Sequence, residues 1–118
     1  MDKIKSFKDL LVWQKSMLLV REVYAVAEHL PRKETFCLTE QMRKAAISVP
    51  SNIAEGAART GEKEFAQFLN VARGSLSELE TQLLIAGDLG YIKPDDPIFE
   101  VVDLVSRLIT GLHKSVRP

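Results

Sequence analysis

The chain has 118 residues, 46% of them apolar, which fits one domain spanning 1–118 with a continuous core and leaves no length for a second. Sixteen Lys and Arg balance sixteen Asp and Glu, so a globally basic nucleic-acid binder is not indicated. A single cysteine excludes an intrachain disulfide, and no apolar run approaches the roughly 18–20 residues that span a bilayer.

The charge is uneven. Residues 1–59 carry ten Lys/Arg and seven Asp/Glu, a net of +3, whereas residues 60–118 carry six and nine, a net of −3. That asymmetry allows the two halves to pair electrostatically or one modestly basic face to form. The first residues, MDKIKSFKDLLVWQK, interleave charge with apolar side chains, unlike a signal peptide. With one cysteine, they make a reducing, cytoplasmic setting without membrane contact the expectation.

Four segments have helical periodicity, and none alternates at period two long enough to suggest a strand. The first predicted helix runs from about Asp9 to Leu30, with Ser6 and Asp9 at capping-box spacing and Pro31 ending it. Leu10, Trp13, Met17, Val20, Tyr24 and Ala27 form one stripe on it; Val12, Leu19, Val23, Val26 and Leu30 form a second. Together they cover more of the helix than one bundle interface needs, which predicts burial of a further face against another subunit.

The second helix spans about 39–56, with Leu38, Met42, Ala46, Val49 and Ile53 facing the core and Pro50 predicted to kink it. The third, about 63–89, has the cleanest amphipathic pattern: Phe65, Phe68, Leu69, Ala72, Leu76, Leu79, Leu83 and Ala86. Gly74 lies on its opposite side, where close approach of a neighbouring backbone is expected, and Gly90 suits the C-terminal cap. The fourth, about 97–115, follows Asp96 as N-cap and Pro97 at the first position, and its core face runs from Ile98 through Val105 to Leu112. Short connections make this an all-α, antiparallel up-down-up-down four-helix bundle.

Polar residues offer little chemistry. Gln41, Ser48, Asn52 and Glu55, joined by Arg59 if the helix continues past Gly56, form a stripe beside the apolar face of the second helix. Such a stripe is either a binding surface or pore lining, or a hydrogen-bonded seam fixing helix register or a subunit contact. Glu55 and Arg59 are spaced to pair. Gly56 to Lys63 superficially resembles a phosphate-binding loop, but Glu62 stands where the lysine belongs and no strand precedes it.

His29 and His113 belong to no metal-ligand spacing and suit solvated helix ends, and Cys37 reads as a small, semi-buried loop residue. The carboxylates Glu28, Glu78 and Glu80 do not supply the Glu-x-x-His pattern of a di-iron bundle. No cofactor, metal or catalytic residue is therefore expected. The cations Lys3, Lys5, Lys8, Lys15, Arg43, Lys44, Arg59, Lys63 and Arg73 are scattered and lack interleaved aromatic residues. They read either as an ordinary solvated charged surface or as phosphate contacts to structured RNA, which need only the charges and which a ring of subunits would multiply.

Certain stretches are more specific. Phe7 to Lys15, Leu30-Pro31, Gln41 to Gly56 (QMRKAAISVPSNIAEG), Arg59, Glu64 to Leu69, Ala72 to Glu80 (ARGSLSELE) and Gly87 to Tyr91 resemble the bacterial family of 23S rRNA intervening-sequence proteins, over about residues 7–112. The resemblance implies a four-helix bundle assembled into a homo-pentameric ring, with no catalytic residues. The family name reflects reading frames within insertions of large-subunit ribosomal RNA genes. Related proteins accompanying diversity-generating retroelements bind a reverse transcriptase and nucleic acid through a basic surface.

Gln41, Arg43, Ser48, Asn52, Glu55, Arg59, Gly74, Ser75 and Glu78 are family-typical positions. The expected function is thus a non-enzymatic, oligomeric accessory protein. Its partners would be further copies of itself and RNA or a nucleic-acid-processing protein, with phosphate contacts at Arg43, Lys44, Arg59 and Arg73. The alternative is a protein–protein scaffold with no nucleic-acid affinity.

Overall fold

The computed structural model describes residues 6–116, and within them the chain is all-α, with four helices and no strand. The helices are α1 (Leu11–Ala27), α2 (Leu38–Ala57), α3 (Glu62–Asp88) and α4 (Ile98–Val116). Short 3-10 turns at Phe7–Asp9 and Arg32–Glu34 precede α1 and α2. Each helix packs on its sequence neighbours and α4 closes against α1, giving a four-helix bundle about 47 Å long. The core residues are those whose three-and-four spacing points inward: Leu19 and Val23 of α1, Met42 and Ile53 of α2, Leu79 of α3 and Val105 of α4 are buried.

The ends depart from expectation where local hydrogen bonding competes with the helix. Ser6 Oγ accepts from the Lys8 amide at 3.2 Å and the Ser6 carbonyl accepts from the Asp9 amide at 3.0 Å, so Ser6 caps a separate 3-10 turn and α1 starts two residues late. Leu10 occupies the α1 N-cap with no side-chain cap. The Gln14 amide ties the two pieces together by donating to the Lys8 carbonyl at 2.9 Å. At the other end α1 stops at Ala27, three residues before Leu30, and the chain tightens through i→i+3 bonds from His29 to Val26 and Leu30 to Ala27.

Pro50 sits buried inside α2, which continues through it to Ala57; the Ser51 hydroxyl bonds to the Ile47 carbonyl at 2.8 Å on the turn containing it. The predicted caps of α3 and α4 form. Gly90 adopts φ +81° and lets the Tyr91 amide reach back to the Ala86 carbonyl at 2.9 Å. Asp96 Oδ1 accepts from the Ile98 amide at 2.9 Å.

Glycine marks the closest helix contact, but at a different residue from the one expected. Gly74 is exposed, and a Cβ there would meet nothing within 4 Å. The close approach is at Gly56, where a Cβ would stand 2.6 Å from Phe68 Cβ and 3.0 Å from Phe65 Cδ1. The absence of a side chain at Gly56 is what allows the start of α3 to lie against the end of α2.

Candidate functional site

The two α1 stripes have different fates. Val12, Leu19, Val23 and Leu30 are buried with the core, as is Ser16, whose hydroxyl donates to the Val12 carbonyl at 2.6 Å. In the other stripe Leu10 and Ala27 at the two ends are buried, Trp13, Met17 and Val20 between them are half-buried and Tyr24 is exposed. Trp13, Met17 and Val20 form one wall of an open apolar cavity of about 310 Å³, completed by Ile47, Pro50, Ser51 and Ala54 of α2. Trp13 is held from below by an edge-on contact with Phe7, ring centroids 5.2 Å apart. Ile47 remains 44% exposed, a large apolar side chain left partly in water.

The polar stripe of α2 divides. Ser48 and Asn52 join α3: Ser48 Oγ lies 2.7 Å from Ser75 Oγ, and Asn52 Nδ2 donates to both the Ser48 carbonyl, at 2.8 Å, and Ser48 Oγ, at 2.9 Å. This half-buried network sits beside the core and ties the middle of α2 to α3. It is the hydrogen-bonded seam, with Ser75 as the member supplied by the partner helix. Gln41 is exposed and takes no part in these bonds. Glu55, in the last turn of α2, pairs at 2.9 Å with Arg59 just beyond the helix end, both in water. About two turns of α3 past Ser75, the Gln82 side chain is 8% exposed and its Oε1 is buried without a hydrogen-bond partner. Its Nε2 makes only a long 3.4 Å contact to Glu78.

The four expected phosphate-binding cations do not converge. Arg43 lies over the Tyr24 ring of α1, 5.1 Å from its centroid, whereas Arg59 lies over Phe68 of α3 at the same distance. Arg43 lies within α2 and Arg59 two residues past its end; the fourteen steps of helix from Arg43 to Ala57 alone span about 21 Å at 1.5 Å per residue. Lys44 pairs with Glu40 on its own helix at 3.3 Å. Arg43 and Arg73 each bury Nε without a hydrogen-bond partner. Lys8, Lys15 and Lys63 lie on α1, α3 or the turn before α1, and Lys3 and Lys5 fall outside the described residues.

The loop end of the bundle carries one perturbed group. Tyr91 donates to Glu34 Oε2 at 2.8 Å, joining the turn before α2 to the loop after α3. That hydrogen bond, with burial and the carboxylate charge, raises the phenol above its usual 10.0. Cys37 is exposed, not semi-buried, because the turn before α2 swings it outward beside Phe36, itself 90% exposed. His29 is exposed and His113 half-buried. Among the described residues no group of three or more His, Cys, Asp or Glu side chains is placed to hold a metal ion. None of the helices is long and apolar enough to cross a membrane.

A family model, the 23S rRNA-intervening sequence protein, matches residues 8–111. The chain belongs to that family. Its fold is also that of a solved structure, a protein of unknown function from the S23 ribosomal protein family of Bacteroides thetaiotaomicron, at 20% identity and a TM-score of 0.66. That match covers 90% of this chain and 94% of the other. No functionally curated protein matched. For this intervening-sequence protein, membership fixes the helical architecture, and the surface has to be read for function.

Proposed function

We propose that this intervening-sequence protein is a non-enzymatic, self-assembling helical bundle, with its helices antiparallel in up-down-up-down order and its copies closed into a ring, a pentamer by family analogy. The observation that carries this reading is the uncovered face of α1 and α2, where Trp13, Met17, Val20, Tyr24 and Ile47 stay partly or largely in water. A 118-residue chain with this much apolar surface left open gains stability by burying it against a neighbour. The antiparallel order is supported by short connections and by the Glu34–Tyr91 bond, which joins the loops after α1 and after α3 at one end.

On this reading the assembly is a cytoplasmic accessory to RNA, and repetition of Arg43, Lys44, Arg59 and Arg73 around a ring supplies the charge that one copy lacks. The mass of the purified chain in solution, with and without nuclease, reports subunit number and co-purifying RNA together. The expected result is a multiple of 13.2 kDa whose RNA affinity falls steeply with salt and drops when all four cations become Ala. A 13.2 kDa species at high concentration would refute self-assembly. Absence of RNA binding at low salt would refute the RNA role.

A second reading, a protein scaffold with no nucleic-acid affinity, is favoured by one observation: Lys44 and Arg59 are already paired with Glu40 and Glu55. A specific protein retained by the assembly after nuclease treatment would support it.

A further inference from the structure

A cavity of about 410 Å³ opens between the end of α1, the 3-10 turn after it and the first turns of α2. That volume is in the range of small-molecule sites. Its walls are polar, unlike those of the cavity beside Trp13: Arg32, Arg43, Thr35, Thr39 and a single carboxylate, Glu28, line it. None of these three charges forms an ion pair among the described residues. Arg43 is held over the Tyr24 ring, and its Nε is buried without a hydrogen-bond partner. Thr39 is only 5% exposed, yet its hydroxyl makes no hydrogen bond among the described residues. Buried polar groups of this kind are costly unless something in the cavity satisfies them.

The backbone adds donors at the same place. Thr39 is the second residue of α2, whose N-cap, Cys37, supplies no side-chain acceptor. The Leu38, Thr39 and Glu40 amides have no backbone acceptor, so the positive end of the helix is left to an anion. The Tyr24, Val26 and Ala27 carbonyls at the end of α1, which would oppose an anion, are taken by the amides of Glu28, His29 and Leu30. Two guanidinium forks, two hydroxyls and free amides match the several oxygens of a phosphate better than the two of a carboxylate. Glu28 accepts only, so it suits a hydroxyl on the rest of the ligand.

We propose that this cavity binds a phosphate monoester on a hydroxyl-bearing group, the chemistry shared by a free sugar phosphate and the 5′ end of an RNA. Arg32, Arg43, Thr39 and the first α2 amides surround the phosphate, and Glu28 accepts from a hydroxyl. The site is complete within one copy and stands whether or not the chain assembles. It goes beyond the RNA surface proposed above, with which it shares Arg43 alone.

The probe is ribose 5-phosphate, titrated calorimetrically into the full chain, with ribose as the control. The expected result is one ester bound per chain and no binding of ribose. Arg32→Ala, in an exposed turn, and Thr39→Val, which keeps the side-chain shape, should each weaken binding about 10-fold or more with helical content unchanged by circular dichroism. Should Thr39→Val fail to fold, Thr35→Val, at an exposed position, takes its place. No binding at millimolar ester, or an affinity unchanged in these variants, overturns the proposal. Arg59→Ala/Arg73→Ala, which tests the RNA surface, should leave the ester's affinity as it is; a matching loss there overturns a discrete site, whereas failure of RNA binding in the wild-type chain leaves it standing. Competition identifies the source. A short 5′-phosphorylated RNA that displaces the probe makes an RNA end the ligand, and its failure to do so makes a free ester the ligand. Equal displacement by the 5′-hydroxyl RNA would mean contact with backbone diesters and overturns the monoester assignment.

Discussion

Gly56→Ala places one methyl group where the helices α2 and α3 touch. Its carbon would stand 2.6 Å from Phe68 Cβ, against the 3.4–4 Å of ordinary contact, so about an ångström of separation has to be found. Phe68 Cβ is the root of its side chain and moves only with the α3 backbone, and the Phe65 ring at 3.0 Å blocks sideways relief. Overpacking of this kind costs about 1–3 kcal/mol. Replacing glycine by alanine in a helix returns at most about 1 kcal/mol, and less in the last turn where Gly56 sits.

The net is a destabilisation of about 1–2 kcal/mol. For 118 residues at about 2.1 cal/mol/K each, it lowers Tm by about 4–8 °C. The control is the same chemical change at Gly74, exposed in mid-α3 with nothing within 4 Å of the added carbon, which should stabilise by up to about 1 kcal/mol. Urea unfolding of both variants at equal protein concentration gives the two signs directly. A Gly56→Ala chain as stable as wild type, or more so, would refute the account of the α2–α3 contact.

Further outcomes follow from single contacts. Asp96→Ala removes the acceptor of the Ile98 amide and should cost about 1 kcal/mol by the same unfolding assay, with Asp96→Asn recovering most of it. Ile53→Ala, at a side chain with no exposed surface, should cost about 2–5 kcal/mol and be among the most damaging truncations in α2. Tyr91 should titrate above 10.0 in an ultraviolet absorbance titration of a Tyr24→Phe background, and Glu34→Gln should move it back down. The fold favours the neutral phenol, so the stability from this bond is complete below the unfolded pKa and is lost as pH rises through the raised one. Phe36→Ser should leave stability within about 0.5 kcal/mol, because 90% of that ring is already in water.

The four helices were legible because burial follows a three-and-four rhythm that any reader can count. Leu69, Ala72, Leu76, Leu79, Leu83 and Ala86 are buried in the order the pattern gives. Caps with their own chemistry, Asp96 and Gly90, were legible for the same reason: a carboxylate before a proline and a glycine after an apolar run each do one thing. Contacts that depend on where another helix lies were not.

Gly74 and Gly56 look alike in sequence, and only the position of Phe68 distinguishes the open site from the crowded one. Ser16 interrupts an apolar stripe yet is fully buried, because its hydroxyl is satisfied by the carbonyl one turn back. Cys37 faces outward because a 3-10 turn, not a plain loop, leads into α2. In the polar stripe, Ser48 and Asn52 meet Ser75 while Gln41 does not, a division set by the register of α2 on α3. The basic residues were identifiable individually, but their facing toward α1 in one case and α3 in another required the rings of Tyr24 and Phe68 to be placed.

Trp13 is the sole tryptophan and lies in the α1–α2 groove, so it reports whether a neighbour covers that face. Its emission should be followed during serial dilution alongside the mass of the particle. A red shift of emission coincident with collapse of the mass to 13.2 kDa is the expected result. Emission unchanged across dilution, with the mass at 13.2 kDa throughout, would mean that the greasy face of α1 meets no second copy and would contradict the account.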